Sequence, residues 1–432
     1  MFENVSFCQP LGAAFDSPGE RGLGALSRLP RNRPNCLTIR DNRVDWVLFL
    51  GNYLLRYGIK LLLGGFTYLE PSRDDLKERS PSPTRIAVFR VAELVEKCRR
   101  SPGHWGQGSL MRRKVLLTIF GSILLLLILG AAYQILGSRM DRRRSPEPGR
   151  LVDVGGYRLK INCAGSGSPT VVLESGLGDM LSEWRPVQLR ISSFARVCSY
   201  DRAGYGESDA GPLPRTSSQI SRELHTLLQN AGEYPPYILV GHSFGGYNVR
   251  VFNGQFPNEV AGMVLADSPQ EDQYQLLPLA WRRFGVELLS RWQGQAEWMP
   301  PQITLGIARL RFRKVLGSDA CLILQSKYLK ARASELKEIQ TSAEQARVSG
   351  TLGDKPLVVL TATQQDETLR SALSPEDFTR FQQLWVRTLQ PRLLQLSTCG
   401  KHVILSDVGH DIPRQRPEAI VDAVRPLCAT NR

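Results

Sequence analysis

The stretch YILVGHSFGGYNVRVFN, residues 237–253, most constrains what this chain can fold into. A short apolar run enters a Gly-x-Ser-x-Gly turn, and a helix-like stretch follows. This order of strand, tight turn and helix predicts a strained turn that exposes the Oγ of Ser243 as a nucleophile. Gly241 and Gly245 are predicted to let neighbouring segments approach closely. The alternative is an ordinary glycine-rich turn with a capping serine.

A serine nucleophile needs a base, and the five histidines of the chain make the search short. His410 lies in a loop near the C-terminus, which satisfies the chain order serine, acid, histidine. His410 is therefore the predicted base. The other four are predicted to have different surroundings: His104 before the apolar segment described below, His225 in a helix, His242 beside the nucleophile but pointing away from its Oγ, and His402 packed in a strand.

Two aspartates are candidates for the acid that orients the base. Asp267 ends the apolar run MVLA, the predicted strand after the nucleophile helix. Asp366 follows the run PLVVLT, near the more usual place for the acid, but it lies five residues beyond the predicted end of that strand. Asp267 is slightly favoured and Asp366 stays open. Either one is otherwise a helix-capping or turn aspartate.

An oxyanion formed during acyl transfer needs hydrogen-bond donors. The backbone N–H of Phe244, the residue after the nucleophile, is one predicted donor. The loop SGLG at residues 175–178 follows the predicted strand PTVVLE, and its glycines allow the backbone to turn its amides inward. Leu177 in this loop is the second predicted donor.

These elements together resemble the α/β-hydrolase superfamily, and residues 111–432 further resemble its membrane-anchored bacterial members. The matching segments include GSGSPTVVLESGLGD (165–179), RVCSYDRAGYGESD (196–209), YILVGHSFGGYNVR (237–250), GMVLADSPQEDQ (262–273) and SDVGHDIPRQRPEAIVDAVR (406–425). The resemblance implies an α/β fold with a mostly parallel eight-stranded sheet flanked by helices. It also implies hydrolysis of an ester-like bond without a cofactor, with Ser243 and His410 as catalytic residues.

A long insertion, residues 268–354, is rich in Leu, Arg and Trp. It is predicted to be a helical cap over the active site, and the alternative for its aromatic residues is simple packing of cap onto core. No metal site is predicted, because the eight cysteines form no CxxC and the chain has no HExxH. No nucleotide site is predicted either, because GSGS at 165–168 lacks the continuation of a dinucleotide fingerprint.

The distribution of charge points to a membrane segment. The chain carries 55 Lys and Arg against 41 Asp and Glu, a net charge of +14. Residues 1–110 contribute +5, residues 111–150 +6 and residues 151–432 only +3. The uncharged run Val115–Gly137 is long enough for a bilayer at about 1.5 Å per residue. It is predicted to be a transmembrane anchor, with a buried core helix and a cleaved signal peptide as alternatives.

The predicted organisation has four parts. Residues 1–110 carry no motif and are predicted to be disordered or to lie upstream of the true start at Met111. Residues 111–137 form the transmembrane segment with its basic flank, and residues 138–150 form a linker. Residues 151–432 form the hydrolase domain, which includes the cap.

Four of the cysteines in that domain fall into two pairs. Cys163 and Cys198 lie on segments expected to be neighbouring strands, and Cys399 and Cys428 flank the last strand and the last helix. Disulfides at both pairs would fit a catalytic domain outside the cytoplasm. Buried reduced thiols are the alternative.

The predicted function is hydrolysis of an ester-like bond through an acyl-enzyme on Ser243, in the manner of a carboxylesterase or lipase. Amide, lactone and thioester bonds are further options, and a non-catalytic binding protein with the same fold is the alternative. The expected partners are a small-molecule ester-like substrate and the membrane. Nucleic acid is not expected, because the domain is nearly neutral and lacks basic residues interleaved with aromatics.

Overall fold

An eight-stranded sheet forms the centre of the chain in the computed structural model, which describes residues 108–144, 148–316, 320–364 and 367–430. The strands are β1 Arg150–Asp153, β2 Arg158–Ala164, β3 Thr170–Glu174, β4 Val197–Tyr200, β5 Tyr237–His242, β6 Val260–Ala266, β7 Leu357–Ala362 and β8 Gly400–Leu405. Their order is β1-β2-β4-β3-β5-β6-β7-β8. The β1–β2 and β2–β4 pairs are antiparallel and the rest are parallel, which confirms the predicted sheet.

Helices flank this sheet and fill the segment between β6 and β7. Those before β6 are α1 Gly108–Arg144, α2 Arg185–Ile191, α3 Ser217–Asn230 and α4 Gly245–Gln255. Those between β6 and β7 are α5 Gln273–Leu276, α6 Leu279–Thr304, α7 Ile307–Leu316, α8 Ala320–Ile323, α9 Ser326–Lys337 and α10 Ile339–Val348. Those after β7 are α11 Glu367–Ala372, α12 Pro375–Leu384, α13 Gln390–Arg392, α14 Ile412–Gln415 and α15 Pro417–Thr430.

The central strands are buried on both faces because helices cover each side of the sheet. In β5, Leu239 packs into a core with α3 and α4, whereas Ile238 and Val240 pack into a second core with α2 and α15. This alternation follows from the two-residue repeat of a strand. Since every residue of β5 and β7 is buried, these strands read as continuous apolar runs, which is typical of a parallel sheet.

The segment predicted as a cap, residues 268–354, contains helices α5 to α10. The long helix α6 packs against α9, and α10 packs against α4 of the core. The insertion is therefore helical and packs against the nucleophile helix of the central domain, while its role as a cap stays a prediction.

One helix in the described part of the chain, α1, is long and apolar enough to cross a membrane. The predicted linker, residues 138–150, is wrong at its start, because the helix continues to Arg144. The sequence offers no helix breaker before Pro146, and Asp141 forms a buried ion pair with Arg309 that holds the last turns in place. Residues 1–107 of the predicted N-terminal region 1–110 lie outside the described residues.

The structure contains one of the two disulfides that were considered. Cys163 on β2 lies directly opposite Cys198 on β4, and their sulfurs are bonded. The second pairing is wrong: Cys399 is exposed just before β8, whereas Cys428 is buried in the core beside α2, and no bond joins them.

We predict that the Cys163–Cys198 disulfide stabilises the domain, because it closes a loop with a sequence separation of 35 in the unfolded chain. Replacing both cysteines by Ala should lower the free energy of unfolding by about 2–4 kcal/mol. Urea titration of the full chain in detergent measures this change. The matched control is Cys399→Ala, an exposed position, which should change stability by less than about 0.5 kcal/mol. A reductant that destabilises the double variant as much as the wild type would contradict the assignment.

Candidate active site

Ser243 lies at a sharp turn between β5 and α4, and its backbone has a φ of +49°. Few residues other than glycine adopt this region, so the turn is strained. Neighbouring glycines make the turn possible. A Cβ on Gly241 would lie 2.7 Å from the carbonyl oxygen of Gly245, and a Cβ on Gly245 would lie 2.5 Å from the carbonyl oxygen of Glu174. The close approach expected from the sequence is therefore a feature of the structure.

The structure brings Ser243, His410 and Asp267 together in a chain of hydrogen bonds. The Oγ of Ser243 lies 2.9 Å from Nε2 of His410. Nδ1 of His410 lies 2.7 Å from Oδ2 of Asp267. A carboxylate only accepts, so Nδ1 carries the hydrogen and Nε2 is left with a lone pair that faces the serine hydroxyl. This is the arrangement in which an imidazole can remove a proton from the serine.

Asp267 follows β6 directly and is almost fully buried, with 1% of its surface exposed. Its Oδ1 accepts hydrogen bonds from the indole N–H of Trp385 at 2.8 Å and from the backbone N–H of Ala362 at 3.1 Å. These two donors satisfy the oxygen that does not face His410, so the carboxyl group is fixed in orientation. The alternative acid, Asp366, lies outside the described residues.

The two predicted oxyanion donors belong to two different segments of the chain. Phe244 precedes the first turn of α4, and Leu177 lies in the loop after β3. In the part of the chain that the structure describes, the backbone hydrogen bonds of turns and loops do not include the N–H of Phe244 or the N–H of Leu177. A Cβ on Gly176 would lie 3.3 Å from Cβ of Ser243, so the loop passes close to the nucleophile. The loop that carries Leu177 therefore lies close to the turn that carries Ser243 and Phe244, and the role of the two N–H groups stays a prediction.

Arg202, to which sequence reasoning assigned no role, positions the loop after β3. Its guanidinium is buried and donates to the carbonyl oxygens of Ser175 and Gly176, each at 2.7 Å. It also forms ion pairs of 2.9 Å with Glu174 at the end of β3 and with Glu335 on α9. One side chain therefore joins the central sheet, the loop and the insertion.

The acidic partners of Arg202 are held by further hydrogen bonds. Tyr205 donates its hydroxyl to Glu335 at 2.6 Å, and Asn248 on the nucleophile helix donates to Glu174 at 2.8 Å. Burial raises the pKa of Glu174 above its ordinary value, although Arg202 and the neighbouring donors oppose that shift. A dry cluster with two carboxyl groups and one guanidinium is stable only when such donors satisfy the remaining oxygens.

The insertion contacts the same loop. Tyr328 on α9 donates its hydroxyl to the carbonyl oxygen of Gly178 at 3.0 Å. The guanidinium of Arg332, one turn further on, stacks over the ring of Trp292 on α6 at 4.1 Å. Thus α6 and α9 lie next to the predicted oxyanion loop, where a cap is expected to lie.

His242 holds the loop that carries the predicted base. Its Nε2 donates to the backbone carbonyl oxygen of His410 at 2.8 Å. Its ring is buried, with Trp184 packed edge-on against it. Burial and the neighbouring ring of His410 lower the pKa of His242 below its ordinary value. The imidazole of His242 is therefore neutral, and its hydrogen is on Nε2.

The remaining histidines of the described chain have structural surroundings. His225 stacks on Phe256 at 3.8 Å and lies 3.0 Å from a carboxylate oxygen of Glu259. His402 on β8 lies 2.8 Å from the hydroxyl of Thr361. His104 lies outside the described residues.

Within the described residues, one group of three side chains has the spacing of a metal site. It consists of Cys163, Cys198 and Glu233. The two sulfurs are bonded to each other, so neither is available as a thiolate ligand. The prediction that no metal takes part stays a prediction.

Comparisons with known proteins agree with this architecture. Residues 169–346 match a family model described as alpha/beta hydrolase fold. The chain is 27% identical over 290 residues to an AB hydrolase superfamily protein of Gibberella zeae, with 60% of this chain and 85% of that protein covered. It is 26% identical over 305 residues to the probable transporter efuK of Hormonema carpetanum, with 64% of this chain but only 42% of that protein covered.

A solved structure described as a putative acyltransferase from Salmonella enterica has the same fold. The TM-score is 0.51 at 18% sequence identity, and the match covers 66% of this chain and 97% of that one. At this identity the likeness concerns the fold alone.

We predict that His242 is a positioning residue. His242→Leu removes one of the two hydrogen bonds that the carbonyl oxygen of His410 accepts, the other coming from the N–H of Ile412 at 2.9 Å, at a cost of about 0.5–1.5 kcal/mol. We expect kcat to fall about tenfold with little change in KM, since the loss concerns the loop of the base. His242→Gln keeps an N–H at the same reach and should restore most of kcat. Equal losses in both variants would contradict the positioning role.

The same pair of proteins, wild type and His242→Gln, tests the lowered pKa. In the unfolded chain His242 takes up a proton near its ordinary pKa of 6.5, whereas the folded site resists protonation. The unfolded state therefore binds more protons below about pH 6.5, and the wild type loses stability as the pH falls. Urea titrations between pH 5 and pH 8 should show that this loss is smaller in His242→Gln. An identical pH dependence in the two proteins would contradict it.

Proposed function

We propose that this chain, whose residues 169–346 match the alpha/beta hydrolase fold, is a serine hydrolase that cleaves an ester-like bond through an acyl-enzyme on Ser243. The observation that carries the proposal is the unbroken hydrogen-bond chain from the Ser243 Oγ through His410 to Asp267, with separations of 2.9 Å and 2.7 Å. A buried acid, an oriented imidazole and a hydroxyl on a strained turn are the parts that such a reaction needs.

The proposed first step is attack of the Ser243 Oγ on the carbonyl carbon of the substrate. Nε2 of His410 accepts the hydroxyl proton as the new C–O bond forms. Asp267 stabilises the imidazolium through the hydrogen bond to Nδ1 and does not itself take the proton. The imidazolium then donates its proton to the leaving oxygen, and the C–O bond of the ester breaks. The acyl group remains on Ser243.

In the second step, water attacks the acyl-enzyme. His410 removes a proton from that water and returns it to the Oγ of Ser243, which restores the free enzyme and releases the acid. The N–H groups of Phe244 and Leu177 are the proposed donors to the oxyanion in both steps. A donor of this kind typically contributes about 2.7–4 kcal/mol. Arg202 serves this stabilisation indirectly, because it holds the two carbonyl groups that precede Leu177.

We further propose that α1 anchors the enzyme in a membrane, with the catalytic domain outside the cytoplasm and the helices of residues 268–354 as its cap. The apolar composition and length of α1 support the anchor. The disulfide between Cys163 and Cys198 supports an oxidising compartment, because such bonds are rare in the cytosol.

A fluorophosphonate probe tests whether the protein is a hydrolase or a non-catalytic member of its family. The probe reacts with an activated serine, so the full chain in native membranes should be labelled, and Ser243→Ala should not be. A panel of esters measured with the same two proteins identifies the acyl chain. Folded protein that stays unlabelled would favour a binding protein.

The acid is tested by two matched substitutions. Asp267→Asn should lower kcat about 10⁴-fold, because the amide presents the wrong hydrogen-bonding pattern to His410 Nδ1. Asp366→Asn, the control at the alternative position, should retain turnover close to that of the wild type. The opposite result would move the role of the acid to Asp366.

A further inference from the structure

The C-terminal third of α1 carries a face of small and polar residues. Gly130, Gln134, Ser138 and Asp141 recur at intervals of three or four residues and therefore lie on one side of the helix. Gln134 and Asp141 are buried, although the side chains of residues 115–129 are exposed. This face is where the helix meets the segment between β6 and β7.

The contact at Gly130 brings two backbones together. A Cβ on Gly130 would lie 2.3 Å from the carbonyl oxygen of Leu305, which follows α6. A Cβ on Gly306 would lie 2.5 Å from the carbonyl oxygen of Gly130. Only glycine permits such an approach, so the corner between α6 and α7 is seated directly on the helix.

An ion pair fixes the next turns of α1 to the same corner. Arg309 on α7 is fully buried and forms an ion pair with Asp141, which is 4% exposed. The same guanidinium donates to the hydroxyl of Ser138 at 3.3 Å. Its side chain also lies against Gly137, where a Cβ would collide with it. The corner is therefore held in a fixed position along the helix axis.

The depth of this corner follows from the length of the apolar run. A hydrocarbon core of about 30 Å needs roughly 20 helical residues. The stretch before the first contact, residues 115–129, supplies only about 22 Å at 1.5 Å per residue. The bilayer must therefore extend beyond Gly130, to the level at which Leu305 and Gly306 touch the helix. The corner between α6 and α7 lies at the depth of the outer acyl chains.

The outer surface of α7 suits this environment. Ile307 and Leu310 are three residues apart and are 42% and 68% exposed. The three basic residues Arg311, Arg313 and Lys314 are exposed further along the same helix. Apolar side chains next to a cluster of positive charges are typical of a helix that lies in the interface of a bilayer with anionic lipids.

We infer that α7 and the α6–α7 corner are embedded in the surface of the membrane that α1 spans, with Ile307 and Leu310 among the acyl chains and the basic residues at anionic phospholipid headgroups. The occupant of this exposed apolar surface is lipid. The inference rests on the proposed anchoring by α1, and the experiment separates the two.

The experiment uses the full chain in vesicles of phosphatidylcholine and phosphatidylglycerol. Leu310→Cys and Tyr234→Cys are compared, because these side chains are 68% and 70% exposed in the structure. Tyr234 precedes β5, at the end of that strand opposite Ser243. A water-soluble maleimide is added, and the modified peptides are followed by mass spectrometry, so the native cysteines do not interfere. We expect roughly tenfold slower labelling of Leu310→Cys, because a thiol among acyl chains forms little thiolate.

A second measurement identifies what covers the surface. The wild-type chain is irradiated in vesicles that contain a phospholipid with a diazirine near the headgroup end of its acyl chain. We expect crosslinks in the peptide that contains Ile307 and Leu310, and none in the peptide that contains Tyr234. With Arg311, Arg313 and Lys314 replaced by Gln, crosslinking in anionic vesicles should fall to the level in pure phosphatidylcholine.

Each of the other experimental outcomes would overturn one part of the inference. Equal labelling of the two cysteines would show that α7 is in water. Slow labelling of Leu310→Cys without lipid crosslinks would show that a protein surface covers it, either another segment or a second copy. Release of the protein from the vesicles by alkaline carbonate would overturn the anchoring itself, whereas retention with equal labelling would overturn only the embedding of α7.

Discussion

The candidate site depends on the interactions of one buried group, the guanidinium of Arg202. It neutralises charge from Glu174 and Glu335 and also binds two backbone carbonyl groups of the loop after β3. Removal of such a group leaves its partners unsatisfied in a dry interior, at a cost of about 3–5 kcal/mol. Because Glu335 belongs to α9, the same cation fixes the insertion over the loop. The sheet, the proposed oxyanion donors and the proposed cap are thus parts of one electrostatic unit.

Local patterns allowed the sheet and two site residues to be predicted from the sequence. The turn at Ser243 is recognisable because strand, glycines and helix lie within a few residues of each other. His410 could be selected because the chain has few histidines and its position fits the expected order. Both inferences need only short-range information, or a count, and the structure places both residues at the same point.

Contacts between distant segments could not be predicted in the same way. The choice between Asp267 and Asp366 depended on where the loop after β7 runs, and the indole of Trp385 that fixes Asp267 lies 118 residues away. Arg202 stands within a quoted motif, yet nothing in the motif shows that its partner is Glu335. The contact face of α1 from Gly130 to Asp141 could not be predicted, because the segment is apolar over most of its length and its few polar residues do not show what they contact. In each case the missing information was the identity of the partner.

The pairing of Arg309 with Asp141 has a consequence for protein production. A shortened, water-soluble form that starts at residue 148 keeps the whole sheet but leaves the Arg309 guanidinium without its carboxylate and without the turns of α1 that cover it. A better soluble form keeps the last turns of α1 as a structural strap and replaces the outward-facing Ile135, Leu136 and Met140, which are 52%, 57% and 50% exposed, by polar residues. Such a form retains the ionic contact and leaves out the part of the helix that is proposed to cross the membrane. The boundary between the proposed anchor and the folded domain therefore lies inside a single helix.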